Sequence, residues 1–153
     1  MKAYLTDGTM PVYYESGKKA EEVTFKNAKR HGLWTQWYES GQLKSEKRFK
    51  DDKRHGKCLS WYENGILESE CYFNKNKREG FETMWNKDGS LCIKAKWKDG
   101  ELNGEFLGWF SNGSKQCVNN FKDGKPHGLC ITWCENGSIE KEEIFKNGFL
   151  DPS

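Results

Sequence analysis

The chain has 153 residues, 35% of them hydrophobic and 31% charged, with a mean hydropathy of -0.98 and a formal charge of +2. Such an average leans towards disorder, yet seven Trp, six Tyr and nine Phe are far more ring surface than a solvated tail carries. Too little aliphatic material is present for a large enzyme-like interior, no window approaches the roughly 18 uncharged apolar residues of a membrane span, and the interspersed charges exclude a basic block for nucleic acid.

The opening segment MKAYLTDGTMPVYY lacks the apolar run of an export signal, so a cytoplasmic chain is expected. Its Gly8 begins a series, Gly8, Gly32, Gly56, Gly80, Gly104 and Gly128, that recurs every 24 residues. A second series, Gly17, Gly41, Gly65, Gly89, Gly113 and Gly137, keeps the same spacing, and Gly100, Gly124 and Gly148 form a third. Aromatic residues follow the same period: Tyr13, Trp37, Trp61, Trp85, Trp109 and Trp133 in one register, Phe25, Phe49, Phe73, Trp97, Phe121 and Phe145 in another. Uninterrupted recurrence of this kind marks a repeat architecture. One repeat domain spans 1–153, with a partial unit at 1–16 and units beginning near Gly17, Gly41, Gly65, Gly89, Gly113 and Gly137.

Within a unit, two clusters of breakers separate stretches of six to eight residues, the length of strands. The Glu-Asn-Gly type of cluster has tight-turn chemistry, Asn, Asp or Ser followed by a Gly that accepts positive φ. The other cluster, FKDDKRHG or FKDGKPHG, reads as a longer loop. Each unit is then a β-hairpin with strands near 42–49 and 57–62. The expectation is an all-β fold: an elongated single-layer antiparallel sheet of about six hairpins and about twelve strands, on the order of 50 Å long at ~4.8 Å per strand.

Alternation sorts the first strand into a face with Leu43, Leu67, Leu91, Ile139 and the Phe register, and a solvated face with Glu22, Glu46, Glu70, Lys94 and Glu142. In the second strand the same alternation places Leu59, Leu107 and Ile131 with the Trp register. Small or polar residues such as Ser45, Ser69, Ala95 and Cys117 lie between these ladders, so aromatic cross-strand pairs carry most of the burial. Met1 aligns with Phe25, the first full strand carries Pro11, as befits an edge strand, and the sequence stops just after a first strand.

Phe121 to Gly128 (F-K-D-G-K-x-H-G) and Trp61 to Leu67 (W-Y-E-N-G-x-L) resemble the MORN repeat in its bacterial variant form. The resemblance covers residues 8 to 148 and implies a curved or grooved single-layer sheet. It implies a scaffold for protein contacts, with phospholipid contact also proposed for such arrays, and in bacteria an antitoxin-like group carries it. The His before Gly stands at His31, His55 and His127 but becomes Asp7, Glu79 and Asn103 elsewhere. The Tyr after the Trp register, at Tyr14, Tyr38 and Tyr62, becomes Asn86, Phe110 and Cys134.

No catalytic constellation is legible. Histidines in adjacent hairpins lie about 9.5 Å apart, whereas zinc holds each nitrogen at about 2.0 to 2.1 Å, so they share no ion and instead brace the loop. Cys58, Cys71, Cys92, Cys117, Cys130 and Cys134 contain no C-x-x-C pair. Cys58 and Cys71 fall close across one hairpin, and free thiols are expected. The chain is therefore read as no enzyme, with no catalytic residue, metal or cofactor. Acid gathers at Glu135, Glu140, Glu142 and Glu143 and base at Lys44, Lys47, Arg48, Lys50, Lys53 and Arg54, a polarity suited to steering a charged partner.

Residues shared by all copies serve the architecture, so copy-specific rings mark a partner site: Trp34, Phe106, Tyr72, Phe81 and Phe149. Trp34 and Phe106, with Tyr38, Tyr62 and Phe110, form an expected partner-binding stripe opposite the Trp face. The expected partner is another protein, a toxin among the possibilities, with self-association and a membrane surface as alternatives and no nucleic acid.

Overall fold

A computed structural model describes residues 7–151, and among them there is no helix, only one open antiparallel sheet. Met1, the residue aligned with Phe25, lies outside the described residues. The strands are β1 (Gly8–Tyr13), β2 (Lys19–Lys26), β3 (Lys29–Trp37), β4 (Leu43–Lys50), β5 (Lys53–Trp61), β6 (Leu67–Asn74), β7 (Lys77–Arg78), β8 (Gly80–Trp85), β9 (Leu91–Lys98), β10 (Glu101–Trp109), β11 (Lys115–Lys122), β12 (Lys125–Pro126), β13 (Gly128–Trp133), β14 (Ile139–Lys146) and β15 (Phe149–Leu150). Each pairs with its neighbour in sequence, the short β7 and β12 being the detached starts of β8 and β13. Pro11 sits in β1, which among the described residues pairs only with β2.

The two connections have lengths opposite to those expected. FKDDKRHG is a two-residue turn, because Asp51 and Asp52 both take positive φ, 50° and 64°. Asn27-Ala28, Lys75-Asn76, Asp99-Gly100, Asp123-Gly124 and Asn147-Gly148 repeat that geometry, the type I′ turn whose twist matches the strands it joins. Strands therefore run up to the turn, and β5 starts at Lys53 rather than near 57. The Glu-Asn-Gly cluster is the longer link: Gly65 N–H donates to Tyr62 O at 2.9 Å, and Tyr62 N–H to Ile66 O at 2.9 Å. Asn64 adds an Asx turn by accepting from Ile66 N–H.

Both edges are stitched from copy to copy. At the two-residue turns, Asp52 N–H donates to Arg30 O, Asn76 N–H to Arg54 O, Gly100 N–H to Arg78 O, Gly124 N–H to Leu102 O and Gly148 N–H to Pro126 O. At the opposite edge, Tyr14, Tyr38 and Tyr62 donate their hydroxyls to the carbonyls of Trp37, Trp61 and Trp85, 2.7 to 2.9 Å away. Between the edges, each residue of the Phe register lies opposite a glycine: Phe49 opposite Gly32, Phe73 opposite Gly56, Trp97 opposite Gly80. Gly56, at φ 97°, centres a bulge by which β5 skips from Arg54, opposite Phe49, to Cys58, opposite Lys47. A side chain at that φ would be strained.

Register shifts also correct the assignment of faces. The extra residue Glu68, opposite the step from Ser60 to Trp61, puts Leu67 beside Trp61 rather than on the face of Phe73, while Leu59, paired with Glu70, shares the Trp register's side as expected. Leu107 and Ile131 likewise pair with Lys94 and Glu142. One face, here the ring face, carries Val23, Trp34, Phe49, Cys58 and Ala95. The other, the back face, carries the carboxylates together with Leu59, Leu107 and Ile131. Val23, Phe49, Cys58, Ala95 and Ser45, all less than a tenth exposed, lie on the ring face, and Thr35 alone of the buried residues lies on the back. No large side chain is fully buried among the described residues, so stability comes from the ladders.

Tyr38→Phe and Tyr62→Phe each remove one bond between copies and should each lower stability by about 1 kcal/mol. Chemical denaturation read by tryptophan fluorescence checks this; no change in midpoint for either variant would show that the tyrosine rungs contribute nothing.

Candidate functional site

The residues expected to form one aromatic stripe fall into two unconnected groups. Trp34 is half-buried on the ring face, with its ring centroid 5.7 Å from that of Phe49, Arg30 and Lys47 over its faces, and its indole N–H bonded to Glu21. Phe106 meets Phe121 edge-on at 6.5 Å. Both rings thus stand beside the Phe register, because Trp34 pairs with Lys47 and Phe106 with Ala95 on that face. Tyr38 and Tyr62 stand beyond the ends of their strands with their hydroxyls committed to the next copy. Phe110 occupies the equivalent place without a hydroxyl.

Guanidinium groups complete the ring face in the early copies. Arg30 lies 4.6 Å from the centroid of Phe49, Arg54 lies 5.2 Å from Phe73, and Arg78 sits 5.9 Å from Phe73 and 4.8 Å from Trp97. Cation and ring alternate along the array, each contact contributing about 0.5–1 kcal/mol. Leu102 and Pro126 replace the arginines further on, and the stack becomes apolar.

An aliphatic patch, unrecognised in the sequence, forms on the back face of the later copies. Leu107 pairs with Val118, Val118 with Ile131, and Leu129 with Ile144. Leu129 is 39% and Ile144 44% exposed. In the early copies the same rows hold Glu22, Glu46, Arg48, Lys57 and Glu70, so the patch ends where charge begins. Glu105 and Glu142 rim it. The missed signal was the replacement of Arg48 and Lys57 by Leu129 and Ile144 at equivalent strand positions. Copy-specific Phe81, 53% exposed, lies on the same face under Lys94 and Lys96.

The turn edge of the early copies is cationic. Lys29, Lys50, Lys53 and Lys75, with His55 and Asp51, line a cleft of about 320 Å³. Among the described residues these four lysines have no ion-pair partner. Arg30, by contrast, binds Asp52 through its backbone N–H and its guanidinium, which hold that carboxyl below its usual range. The residues before the glycines do brace the turns: Glu79 accepts from Asp99 N–H, Asp7 from Asn27 N–H and His127 Nδ1 from Asn147 N–H, while His31 contacts Asp51. Lys75 breaks this pattern by putting a cation where Asp or Asn stands in the other copies, across from His55. No group of His, Cys, Asp or Glu among the described residues could hold a metal ion.

Because Trp34 and Phe106 pack within the sheet, Trp34→Ala and Phe106→Ala should cost stability, about 2–3 kcal/mol each for partly buried rings. Thermal or urea unfolding checks this, and an unchanged midpoint would restore both rings to the role of free contact residues.

Comparison with known proteins agrees with the repeat and leaves the partner open. The family model described as the MORN repeat variant matches residues 6–27, 30–51 and 54–75, three successive copies. No curated protein matches the chain. Among solved structures it is similar to one titled "Crystal structure of GtfA/B complex bound to UDP and GlcNAc", at 14% identity over 96% of this chain, with a TM-score of 0.31. The chain spans 29% of that protein's length, and a likeness so loose carries no argument. Turns, rungs and family model agree: three successive stretches between residues 6 and 75 match the MORN repeat variant, and the described residues form one tandem β-hairpin sheet.

Proposed function

We propose that the chain is a non-enzymatic repeat scaffold that binds another protein on the back face of its later copies. The observation that supports this most is the patch of Leu107, Val118, Leu129, Ile131 and Ile144, half-buried at its centre, exposed at Leu129 and Ile144, and rimmed by Glu105 and Glu142. A partner of complementary chemistry presents an apolar knob within a basic rim. The rim directs encounter and the aliphatic centre holds the complex. Neutralisation of a toxin is the specific form of this reading that the repeat's resemblance implies.

Two measurements test the reading. Leu129→Asp with Ile144→Asp should abolish retention of the partner in affinity capture, because a carboxylate is then buried without a mate, while Tyr38→Phe should leave retention unchanged. Equal retention by the double variant would move the site elsewhere. Co-expression with a neighbouring toxic gene product tests the specific form: rescue of growth that the double variant loses supports it, and absence of rescue removes it.

A second reading, binding to anionic headgroups at a membrane surface, has its own observation in the unpaired Lys29, Lys50, Lys53 and Lys75 around one cleft. Such attraction amounts to about 1 kcal/mol per cation near an anionic surface. Co-sedimentation with phosphatidylserine vesicles at low salt should fall sharply in Lys50→Glu with Lys75→Glu. No sedimentation of the unaltered chain would dispose of it.

A further inference from the structure

The back-face patch and the turn-edge cleft leave one reactive cluster unused. Cys58 of β5 and Cys71 of β6 are direct cross-strand partners, one residue opposite the other on the ring face. Facing residues in an antiparallel pair have Cα atoms about 4.5 or 5.5 Å apart, and a disulfide spans Cα separations of about 4.4–6.8 Å. The pair is therefore within the span a disulfide bridges. No other cysteines of the chain face each other in the pairing registers of the described strands.

The surroundings are those of a reactive thiol. The two facing thiols interact with each other, and the Arg48 backbone N–H also favours the charged form of the Cys58 sulfur. Lys47 on β4 and Arg54 on β5 add positive charge on the same side. Contact with Cys71, the Arg48 N–H and these cations hold the Cys58 thiol down to about 6, and the same contact together with burial pushes the Cys71 thiol up. A groove of about 280 Å³ reaches both sulfurs, with Arg54, Phe73, Arg78 and Glu82 along it. A small oxidant can enter there although Cys58 itself is only 6% exposed.

We propose that Cys58 and Cys71 form a redox-active dithiol whose oxidant is a hydroperoxide. The Cys58 thiolate attacks the peroxide: an S–O bond forms, the O–O bond breaks, and hydroxide leaves from hydrogen peroxide. Sulfur gives up two electrons and the peroxide takes them, leaving a sulfenic acid. Cys71 then attacks the Cys58 sulfur. The S–S bond forms, the S–O bond breaks, and the Cys71 proton leaves with the oxygen as water. Two equivalents of a thiol return the pair to the dithiol by exchange. Oxidation removes the thiolate that Lys47 and Arg54 face, and so makes this part of the ring face more positive.

The test uses the full chain, treated with hydrogen peroxide and then blocked with N-ethylmaleimide for intact mass and peptide mapping. Expected is a loss of two hydrogen atoms, reversed by dithiothreitol, with the peptides of Cys58 and Cys71 linked. In Cys71→Ser, dimedone should mark Cys58 at least about tenfold faster than Cys92; in Cys58→Ser, neither the linkage nor a comparable mark at Cys71 should appear. Linkage through other cysteines, persistence of the two-hydrogen loss in Cys71→Ser, or equal marking of Cys58 and Cys92 would overturn the proposal. Peptide mapping of the unaltered chain decides the same question should either serine variant fail to fold.

Discussion

Everything in this molecule depends on the hydrogen bond by which the turn of one copy donates to a carbonyl of the copy before it. Asp52 N–H to Arg30 O is one instance, and the spacing recurs to Gly148 and Pro126. Only a backbone with positive φ at both turn residues aims that N–H backwards while keeping the flanking strands paired. The turn thus fixes two things at once, the twist within a hairpin and the distance to the next. With that distance set, the rings of the Phe register meet their glycines, the guanidiniums meet the rings, and the tyrosine hydroxyls reach the next carbonyl at the far edge. A copy taken alone would have none of these partners, which is why stability in such arrays is a property of neighbours.

Function then resides in departures from the pattern. Where the array needs only a polar, turn-compatible side chain, Lys75 supplies a cation, and a cleft of lysines results. Where the back face elsewhere carries charge, Leu129 and Ile144 supply surface that water does not solvate well. Where Trp34 and Phe106 put rings in other copies, Cys58 stands instead and meets Cys71 as a thiol pair. In each case the repeat positions the side chain and imposes little on its identity, so one scaffold can carry several unlike surfaces.

The sequence made the architecture legible because its period and its glycines are set by backbone geometry, which every copy must satisfy. It was less informative about which breaker cluster forms the shorter turn. Asp51-Asp52 and Lys75-Asn76 contain no glycine, yet their backbones adopt the left-handed conformation, which Asp and Asn tolerate better than most residues. Simple alternation also failed at the bulge opposite Trp61, where the extra residue Glu68 moves Leu67 from the Phe-register face to the side of Trp61. The site was harder to read for another reason: alternation does not tell a ring packed on the Phe register, as Trp34 and Phe106 are, from a free one, and the aliphatic rows were hidden among charged neighbours. The histidine register was better read, since bracing of the turn is the shared role of His127, Glu79 and Asp7.

The open, one-layer pairing has a mechanical corollary. A pull applied across the array, from β1 towards β14, acts along the hydrogen bonds between strands rather than across them. Load therefore falls on one rung at a time and peels the sheet like a zipper, so the force at which it yields is that of its weakest rung. Adding copies would lengthen the extension without raising the force. The weakest places are β6 against β7 and β8, and β11 against β12 and β13, where the pairing breaks into two separate stretches of two residues each.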